Sequence, residues 1–449
     1  MGKLFGTDGI RGVVGENLTA ELAFRVGQAV AAVLTEQIGH APRVTIGKDT
    51  RISADMLESA LMAGICSAGG LVEPLGTIPT PAVAFLTVRG KADAGIVISA
   101  SHNPYEHNGI KIFNGNGYKL SDELEARVEE KILADTPICE KKQGEIGYRI
   151  HGMRQLKKDY IHHLLSSVTS DFAGMRILVD CACGAASATA PELFGLFRAH
   201  TEFIFTEPDG LNINDGCGST HMETLAKKVV EGKYDIGIAF DGDADRCLLV
   251  DETGNIIDGD KVLAVVGLHR KRMGKLTNNT IVATVMSNLG LHEFCRDNGI
   301  DLVCTGVGDR HVLECMLAND YTVGGEQSGH TIFAEYATTG DGELTALQFL
   351  EILKQSGKKA SELAAVCPQY PQVLKNLNLP NTPGSKEKVM TSPILQDAIK
   401  KQEEAFGGKG RLLIRPSGTE PLIRVMVEAK TEEEANEVAD RFIALIKAL

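Results

Sequence analysis

The sequence lacks any apolar run of the roughly 20 residues that a membrane-spanning helix needs, so no membrane partner is expected. Its first residues, MGKLFGTDGIRG, lack the apolar centre of a signal peptide, and we therefore expect a cytoplasmic location. The 10 cysteines include no CxxC pair, which argues against a structural zinc site and against a disulfide framework. We expect reduced, mostly buried thiols instead.

Positive charge is also scarce. The chain has 46 Lys and Arg residues against 59 Asp and Glu residues, a net charge of −13 at pH 7. This balance disfavours nucleic acid as a partner, and an anionic ligand would need basic residues that are concentrated locally. The length of 449 residues, with 43% hydrophobic and 23% charged residues, is typical of a globular protein with roughly two to four domains.

Strand-like and helix-like segments alternate along most of the chain. RVTIG (43–47) precedes a helical pattern from Ser53 to Ala68, and MRILVD (175–180) precedes one predicted at 185–197. This alternation predicts α/β domains with parallel or mixed sheets. No sequence repeat of fixed period is visible, although repeated structural units could underlie diverged sequence.

The character of the sequence changes near its C-terminal end. Four prolines lie close together, at positions 368, 371, 380 and 383. After them, RLLIR (411–415) and PLIRVMVEA (421–429) alternate apolar and polar residues, which is typical of half-exposed antiparallel strands. A capping box from Thr431 to Glu434 begins a final helix. These features predict a small α+β domain over 368–449.

The stretch ISASHNPYEH (98–107) places Ser101 at the end of an apolar strand. Ser101 could be a nucleophile, because ligands bind at strand ends in α/β sheets, or it could simply cap a turn. Its neighbour His102 is not expected to form a protease-like pair with it, since consecutive side chains on extended backbone point apart. Lys111, on the next apolar segment, could neutralise an anion or transfer a proton.

The stretch AFDGDADRCLLVDE (239–252) contains three aspartates at alternate positions: Asp241, Asp243 and Asp245. Alternate side chains point to one side of an extended loop, where three carboxylates would raise one another's pKa unless a cation intervened. One Mg²⁺ ion is the expected cofactor. An acidic solvated turn is the alternative. A calcium loop is disfavoured, because Arg246 stands where such a loop needs glycine and strands flank the segment.

Two further loops carry polar groups. VGGEQSGHTIF (323–333) suits sugar hydroxyls or is a simple glycine-rich turn; its polar residues are Glu326, Gln327, Ser328 and His330, the last a candidate acid or base. RPSGTEP (415–421) is a candidate phosphate site or an ordinary hairpin turn; its candidate ligands are Arg415, Ser417, Gly418 and Thr419. Arg11 and Arg51 could each steady a phosphate or be ordinary surface residues.

Together the four loops suggest phosphoryl transfer on a phosphorylated sugar. ASHNP, DGDADR, GEQSGH and RPSGTEP, in this order, resemble the α-D-phosphohexomutase superfamily, and the resemblance runs from KLFGTDGIRG to RPSGTEPLIRVMVE. The third residue of GEQSGH, Gln327, resembles the residue found in the branch that acts on glucosamine phosphate. Relatives that act on mannose and glucose phosphates tend to carry Met or Glu at this position.

The resemblance implies an α/β fold of four domains around a central cleft. Three would be mixed α/β domains with a common core, and the last an α+β domain. We place them at 1–152 (phosphoserine loop), 153–254 (metal), 255–367 (sugar) and 368–449 (phosphate). A homodimer is also implied. The implied reaction interconverts glucosamine 6-phosphate and glucosamine 1-phosphate through a phosphoserine and a 1,6-bisphosphate, on the route to UDP-N-acetylglucosamine and cell wall.

The resemblance also implies roles for single residues. The metal ligands would be Ser101, as phosphoserine, with Asp241, Asp243 and Asp245. The catalytic group would be Ser101, Lys111, His330, Arg11 and His102. Substrate would be bound by Glu326, Gln327, Ser328, Arg415, Ser417, Gly418, Thr419, Arg424 and Arg246. Glucosamine or glucose 1,6-bisphosphate would be the activator. The same chemistry on glucose or mannose phosphate, a Mg²⁺-dependent sugar phosphatase and a sugar-phosphate sensor remain alternatives.

Overall fold

The structure is a computed structural model that describes residues 4–6, 8–134, 138, 141–150, 153–380, 384–417 and 422–449, with the side chains of 153–155 left aside. By internal packing the chain divides into two units. The first unit comprises Met1–Val285 and Asp301–Val366, and the second comprises Met286–Ile300 and Cys367–Leu449. Within the described ranges, no helix combines the length and the apolar character that crossing a bilayer requires.

The first sheet of the first unit has five strands in the order β1-β5-β4-β2-β3. Strands β2, β3 and β4 are mutually parallel. Strand β5 pairs antiparallel with β4, and β1 pairs antiparallel with β5. Helix α1 begins after Thr19, whose hydroxyl accepts the Leu22 N–H, and packs its apolar face on this sheet. The elements are β1 Ile10–Val13, α1 Ala20–Ile38, β2 Arg43–Lys48, α2 Ala54–Ser67, β3 Leu71–Thr77, α3 Thr80–Arg89, β4 Ala94–Ile98, β5 His107–Asn114 and α4 Asp122–Leu133.

The second sheet has five strands in the order β10-β9-β8-β6-β7. Strands β6, β7 and β8 are parallel, whereas β9 and β10 are antiparallel. The elements are α5 Met153–Ser166, β6 Arg176–Asp180, α6 Ala190–Phe194, β7 His200–Ile204, α7 Glu223–Gly232, β8 Ile236–Phe240, β9 Cys247–Asp251 and β10 Ile256–Ile257. The predicted helix at 185–197 is wrong: a 3₁₀ turn at Ala185–Ala188 is followed by the short α6. Pro191 is the reason, because proline fits only the first turn of a helix.

The third sheet has four strands in the order β12-β11-β13-β14, of which only β14 is antiparallel to its neighbour. The elements are α8 Gly259–Arg272, β11 Thr280–Thr284, α9 Leu289–Asp297, β12 Asp301–Thr305, α10 Asp309–Asn319, β13 Val323–Gly325, β14 Thr331–Phe333, α11 Gly342–Ser356 and α12 Ala360–Ala364. By packing, α9 belongs to the second unit although β11 and β12 flank it in the chain.

The second unit contains a three-stranded antiparallel sheet in the order β15-β17-β16. Its elements are β15 Gln372–Asn378, α13 Ser385–Met390, α14 Pro393–Phe406, β16 Arg411–Pro416, β17 Leu422–Glu428 and α15 Glu432–Lys447. As predicted, Thr431 caps α15 by accepting the Glu434 N–H, and Val438, Phe442 and Ile446 face the sheet. The α/β fold class with a small C-terminal α+β domain is therefore confirmed.

The three sheets of the first unit share one scheme, although the sequence shows no repeat. In each, three parallel strands are followed by a strand antiparallel to the last of them: β5, β9 and β14. A loop joins the last parallel strand to this antiparallel strand, and the three loops are the serine loop (99–106), the aspartate loop (241–246) and the glutamate loop (326–330). All three therefore leave the carboxyl end of a parallel strand, which is the ligand-binding end of such sheets.

Candidate active site

The serine loop holds Ser101 in a left-handed backbone conformation, with φ = 52°. The Ser101 N–H donates to Ser99 Oγ at 2.9 Å, and the Ser101 carbonyl accepts from Asn214 Nδ2 at 2.9 Å. The expectation that Ser101 and His102 point apart is wrong, because the backbone here is not extended. Ser101 Oγ lies 3.4 Å from His102 Nδ1.

Arg51 holds the serine loop through hydrogen bonds to its backbone carbonyls. Its guanidinium donates to the carbonyls of Ser101 at 2.9 Å and Asn103 at 2.8 Å, and to that of Pro104. Asp49, also buried, accepts from Arg51 Nε at 2.9 Å and from the Ser99 hydroxyl at 2.7 Å. Arg51 is therefore neither a surface residue nor, in this conformation, a phosphate ligand. It is the internal support of the serine loop.

The aspartate loop brings three carboxylates to Ser101. Oxygen atoms of Asp241, Asp243 and Asp245, here called the aspartate triad, lie within 4.8 Å of one another, and all three residues are buried. The Ser101 hydroxyl donates to Asp241 Oδ2 at 2.5 Å. The predicted convergence is thus correct, although the loop is a turn with Ala244 at φ = 55° rather than extended backbone.

The donor set of the triad fits a hard divalent cation. Among the residues that the structure describes, Asp243 Oδ1 and Asp245 Oδ1 are buried and have no hydrogen-bond partner, so these two anionic oxygens are available to a ligand. Burial together with the charges of Asp245 and Asp243 raises the pKa of Asp241 well above its usual range. A cation bound to these oxygens would relieve this repulsion, and oxygen ligands are those that Mg²⁺ prefers.

Lys111, on β5, is the main positive charge beside the triad. Its Nζ lies 2.9 Å from Asp243 Oδ2, 3.6 Å from Asp245 Oδ2 and 3.2 Å from Asp8 Oδ2. Burial opposes the charge, but these carboxylates raise the pKa of Lys111 above its usual range, so the side chain is an ammonium here. Arg11, on β1, forms an ion pair with the same Asp8.

His102 and Arg246 lie on the other side of Ser101. Arg246 Nη1 is 3.1 Å from His102 Nδ1, and the Arg246 N–H donates to Asp241 Oδ1 at 3.1 Å. Burial, and then the positive charges of Arg246 and Arg11, lower the pKa of His102 to about 4. His102 is therefore neutral near pH 7, and its Nδ1 accepts the bond from Arg246.

The first three polar residues of the glutamate loop differ in their exposure and in their hydrogen bonds. Glu326 is half-buried, and its Oε1 accepts the Gly308 N–H at 3.2 Å. Gln327 is tied down, because its Nε2 donates to Asp258 Oδ2 at 3.1 Å and its carbonyl accepts the Gly259 N–H at 3.0 Å. Ser328 is exposed.

His330 ends this loop and points back to the triad. Its Nδ1 lies 3.7 Å from Asp245 Oδ1, and its Nε2 accepts the Gly340 N–H at 3.0 Å. Burial opposes a charge on the ring, but Asp245, followed by Asp309, raises the pKa of His330 to about 9. A proton on Nε2 would break the bond from Gly340, whereas a proton on Nδ1 faces Asp245. Electrostatics and hydrogen bonding thus oppose each other at Nε2.

The predicted phosphate ligands of the second unit lie on its hairpin. Arg415 on β16 stands directly opposite Arg424 on β17. Two like charges in a cross-strand pair are unfavourable unless an anion binds between them, which suits a phosphate. The Ser417 N–H donates to the Leu422 carbonyl at 2.9 Å. Gly418 and Thr419 lie outside the described residues.

Sequence reasoning missed several residues around the triad. Thr80, at the start of α3, donates its hydroxyl to Asp243 Oδ2 at 2.7 Å and its N–H to the Asp243 carbonyl at 2.9 Å. Asp8, Lys119 and Asp309 form ion pairs next to Lys111 and His330. Asp8 had a detectable signal, since it stands in the glycine-rich GTDGIRG segment beside Arg11, whereas the other three belong to no motif.

Comparison with known proteins agrees with this geometry. Family models described as phosphoglucomutase/phosphomannomutase match four consecutive segments: α/β/α domain I at 2–138, domain II at 158–254, domain III at 258–370 and the C-terminal domain at 374–445. A phosphoglucosamine mutase of Acetivibrio thermocellus is 53% identical over 100% of this chain and 99% of its own length. The chain belongs to the phosphoglucosamine mutase family of the phosphohexomutases.

Solved structures share the fold at lower identity. A phosphoglucomutase/phosphomannomutase family protein of Burkholderia thailandensis has a TM-score of 0.82 at 24% identity, covering 99% of this chain and 97% of that one. An N-acetylphosphoglucosamine mutase of Aspergillus fumigatus, solved with GlcNAc-6P and magnesium, has a TM-score of 0.69 at 18% identity, covering 98% and 95%. The predicted superfamily and the isomerase class are thus confirmed, and the protein is a phosphosugar mutase.

Proposed function

We propose that this phosphosugar mutase interconverts glucosamine 6-phosphate and glucosamine 1-phosphate through a phosphoserine at Ser101 and a 1,6-bisphosphate. The observation that carries the proposal is the bond of the Ser101 hydroxyl to Asp241 at 2.5 Å, within a carboxylate cluster in which two buried oxygens accept no hydrogen bond from the described part of the chain. A hydroxyl held against a candidate cation site can carry a phosphoryl group reversibly.

Asp241, Asp243 and Asp245 would hold the Mg²⁺, with phosphorylated Ser101 as a further ligand. The magnesium in the A. fumigatus N-acetylphosphoglucosamine mutase supports the choice of this ion. When bound, it would neutralise the charge on the group being transferred. Thr80 and Lys111 both contact Asp243, so they would orient this ligand.

In the first transfer, the free C1 hydroxyl of glucosamine 6-phosphate attacks the phosphorus on Ser101. A sugar O–P bond forms, the Ser101 Oγ–P bond breaks, and the sugar hydroxyl loses its proton. In the second transfer, Ser101 Oγ takes the phosphoryl group from C6 of the bisphosphate, and the C6 oxygen gains a proton. Lys111 and His330 are the candidates for moving these protons, because both side chains are buried and lie beside Asp245 of the triad.

The two transfers require the sugar to bind in two opposite orientations. We propose that Arg415, Arg424 and Ser417 bind the phosphate that is not reacting, since two arginines facing each other suit a dianion. Gly418 and Thr419 would complete this site. Arg11 and Arg246 would hold oxygens of the reacting phosphoryl group.

Substrate choice would depend on the glutamate loop. Glu326 and Ser328 would accept hydrogen bonds from sugar hydroxyls. Gln327 donates to Asp258, so its amide nitrogen is already engaged. Gln327 is therefore weaker evidence that the substrate carries an amino group. This contact keeps glucose and mannose phosphates as a second candidate substrate class. The homodimer, the bisphosphate activator, the cytoplasmic location and the four domain boundaries stay predictions.

The deciding experiment compares kcat/KM for the 6-phosphates of glucosamine, glucose and mannose, with Mg²⁺ and glucose 1,6-bisphosphate present. We expect the highest value for glucosamine 6-phosphate and one added phosphoryl group on the peptide that contains Ser101. A higher kcat/KM for glucose 6-phosphate or mannose 6-phosphate would mean that this sugar phosphate is the substrate instead. Stoichiometric release of inorganic phosphate would indicate a phosphatase instead, and binding without turnover a sensor.

A further inference from the structure

Lys119 lies outside the four sequence motifs, yet it bridges two parts of the first unit. It follows β5, and its Nζ lies 2.6 Å from Asp8 Oδ1 and 2.7 Å from Asp309 Oδ2. Asp8 precedes β1 of the first sheet, whereas Asp309 is the first residue of α10, a helix that packs on the third sheet. The side chain of Lys119 is only 15% exposed, so the two ion pairs are poorly screened by water.

Each of these carboxylates also faces a candidate proton-transfer group. Asp8 Oδ2 lies 3.2 Å from Lys111 Nζ, and Asp309 Oδ2 lies 3.7 Å from His330 Nε2. Lys111 and His330 in turn face the aspartate triad, at 3.6 Å and 3.7 Å from Asp245 oxygens. The result is a closed ring in which acidic and basic side chains alternate: Asp245, Lys111, Asp8, Lys119, Asp309 and His330.

The ring has a consequence for the geometry of the site. Lys119 is the basic group that Asp8 and Asp309 share: Asp8 also contacts Arg11 and Lys111, and Asp309 also contacts His330. Without Lys119, the two carboxylates would repel each other, Asp8 would keep Arg11 and Lys111, and Asp309 would keep His330. Lys111 would then be drawn toward Asp8 and away from Asp243, and His330 toward Asp309 and away from Asp245.

We infer that Lys119 is a positioning residue for the mutase reaction: through Asp8 and Asp309 it sets where Lys111 and His330 stand relative to the aspartate triad. This inference rests on the proposed function, in which these two side chains serve the transfer. Lys119 itself touches neither the triad nor Ser101 through these contacts. Its removal should therefore slow the chemical step and leave sugar-phosphate binding nearly unchanged.

The test is Lys119→Met, which keeps most of the stem and removes the charge. We expect kcat to fall by up to about 100-fold, because displacement of a catalytic group by about 1 Å can cost that much, with KM nearly unchanged. Lys119→Arg should restore most of kcat, since its guanidinium can bond both carboxylates. A normal kcat in Lys119→Met, or a loss expressed mainly in KM, would overturn the inference.

Lys48→Met is the matched control. Lys48 also bridges two carboxylates, Asp55 at 2.5 Å and Glu58, and its side chain is 13% exposed, but these partners lie on α2 and do not belong to the ring. We expect normal kcat in this variant. An equal loss in both lysine variants would mean that any broken bridge slows the enzyme, which contradicts a positioning role.

Two further measurements keep the inference separable from the proposed function. A crystal structure of Lys119→Met should show Lys111 or His330 displaced from the triad; unmoved side chains would overturn the inference whatever the substrate. If Lys119→Met does not fold, Asp309→Asn breaks the same bridge with little change in shape and should lower kcat in the same way; unchanged kcat there overturns it too. A wild-type enzyme inactive on all three hexose 6-phosphates would overturn the proposed function alone.

Discussion

At the scale of single residues, Ser101 owes its position to backbone contacts. A left-handed conformation at a residue other than glycine costs about 1–3 kcal/mol and persists only where neighbours fix it. Ser99, Arg51 and Asn214 supply those contacts. The motif predicted the hydroxyl and the carboxylates, but not this conformation, because two of its three supports, Arg51 and Asn214, are distant in the sequence.

Ser101→Ala tests the nucleophile. We expect turnover to disappear, since alanine cannot carry a phosphoryl group, while sugar-phosphate affinity measured by calorimetry stays within about threefold. Ser99→Ala is the comparison, because it removes a neighbouring hydroxyl that only supports the loop; it should slow the enzyme and leave it active. Steady turnover in Ser101→Ala would exclude the proposed role.

Gly340→Ala tests the placement of His330. A Cβ at residue 340 would lie 2.5 Å from Nε2 of the ring, so the ring must move, and we expect kcat to fall by about 10- to 100-fold with a normal circular dichroism spectrum. Gly144→Ala is the control, since a Cβ there meets open space and should leave kcat unchanged. Full activity in Gly340→Ala would show that the position of the ring is unimportant.

At the scale of elements, the site depends on where three loops leave their sheets. The serine, aspartate and glutamate loops each follow the last parallel strand of a sheet, so their polar residues emerge at equivalent places. The strands could be predicted from apolar runs such as IGIAF, but the antiparallel pairing that directs each loop is a property of the folded sheet.

Arg51→Met tests the support of the serine loop. It leaves Asp49 buried without its cation, and breaking such a pair costs about 3–5 kcal/mol, so we expect the first unfolding transition in urea to shift to lower concentration. Adding Asp49→Asn should recover part of the loss. Arg89→Met, which breaks an exposed pair with Asp159, should cost less than about 0.5 kcal/mol. Equal effects at Arg51 and Arg89 would contradict the internal role of Arg51.

At the scale of the whole molecule, the first unit contains a buried acidic network that joins α5, the residue before α6 and the start of α11. The Tyr160 hydroxyl donates to Asp341 Oδ2 at 3.0 Å, and the Thr189 hydroxyl donates to Glu343 Oε1 at 2.6 Å. Burial, with a contribution from the charge of Asp341, raises the pKa of Glu343 to about 8, so this carboxyl group is protonated near pH 7.

This network makes stability depend on pH. The folded state keeps the Glu343 proton above the pH at which the unfolded chain releases it, so the stabilisation is complete below about pH 4 and is lost as pH rises to about 8, by up to roughly 1.4 kcal/mol per unit. We expect the melting temperature of Glu343→Gln to equal that of the wild type at pH 5 and to be several degrees higher than that of the wild type at pH 9. A temperature difference that stays constant with pH would refute the shifted pKa.

The sequence by itself determined the family, the α/β class and the chemistry of each loop, because a nucleophilic hydroxyl, alternating carboxylates and a glycine-rich polar turn are local patterns. The tertiary structure decided which groups meet. Lys119, Asp309 and Thr80 stand in no motif, and their contacts arise only when separate sheets pack together. Charge and distance set the state of Lys111 and His330, and neither quantity is defined until the chain has folded.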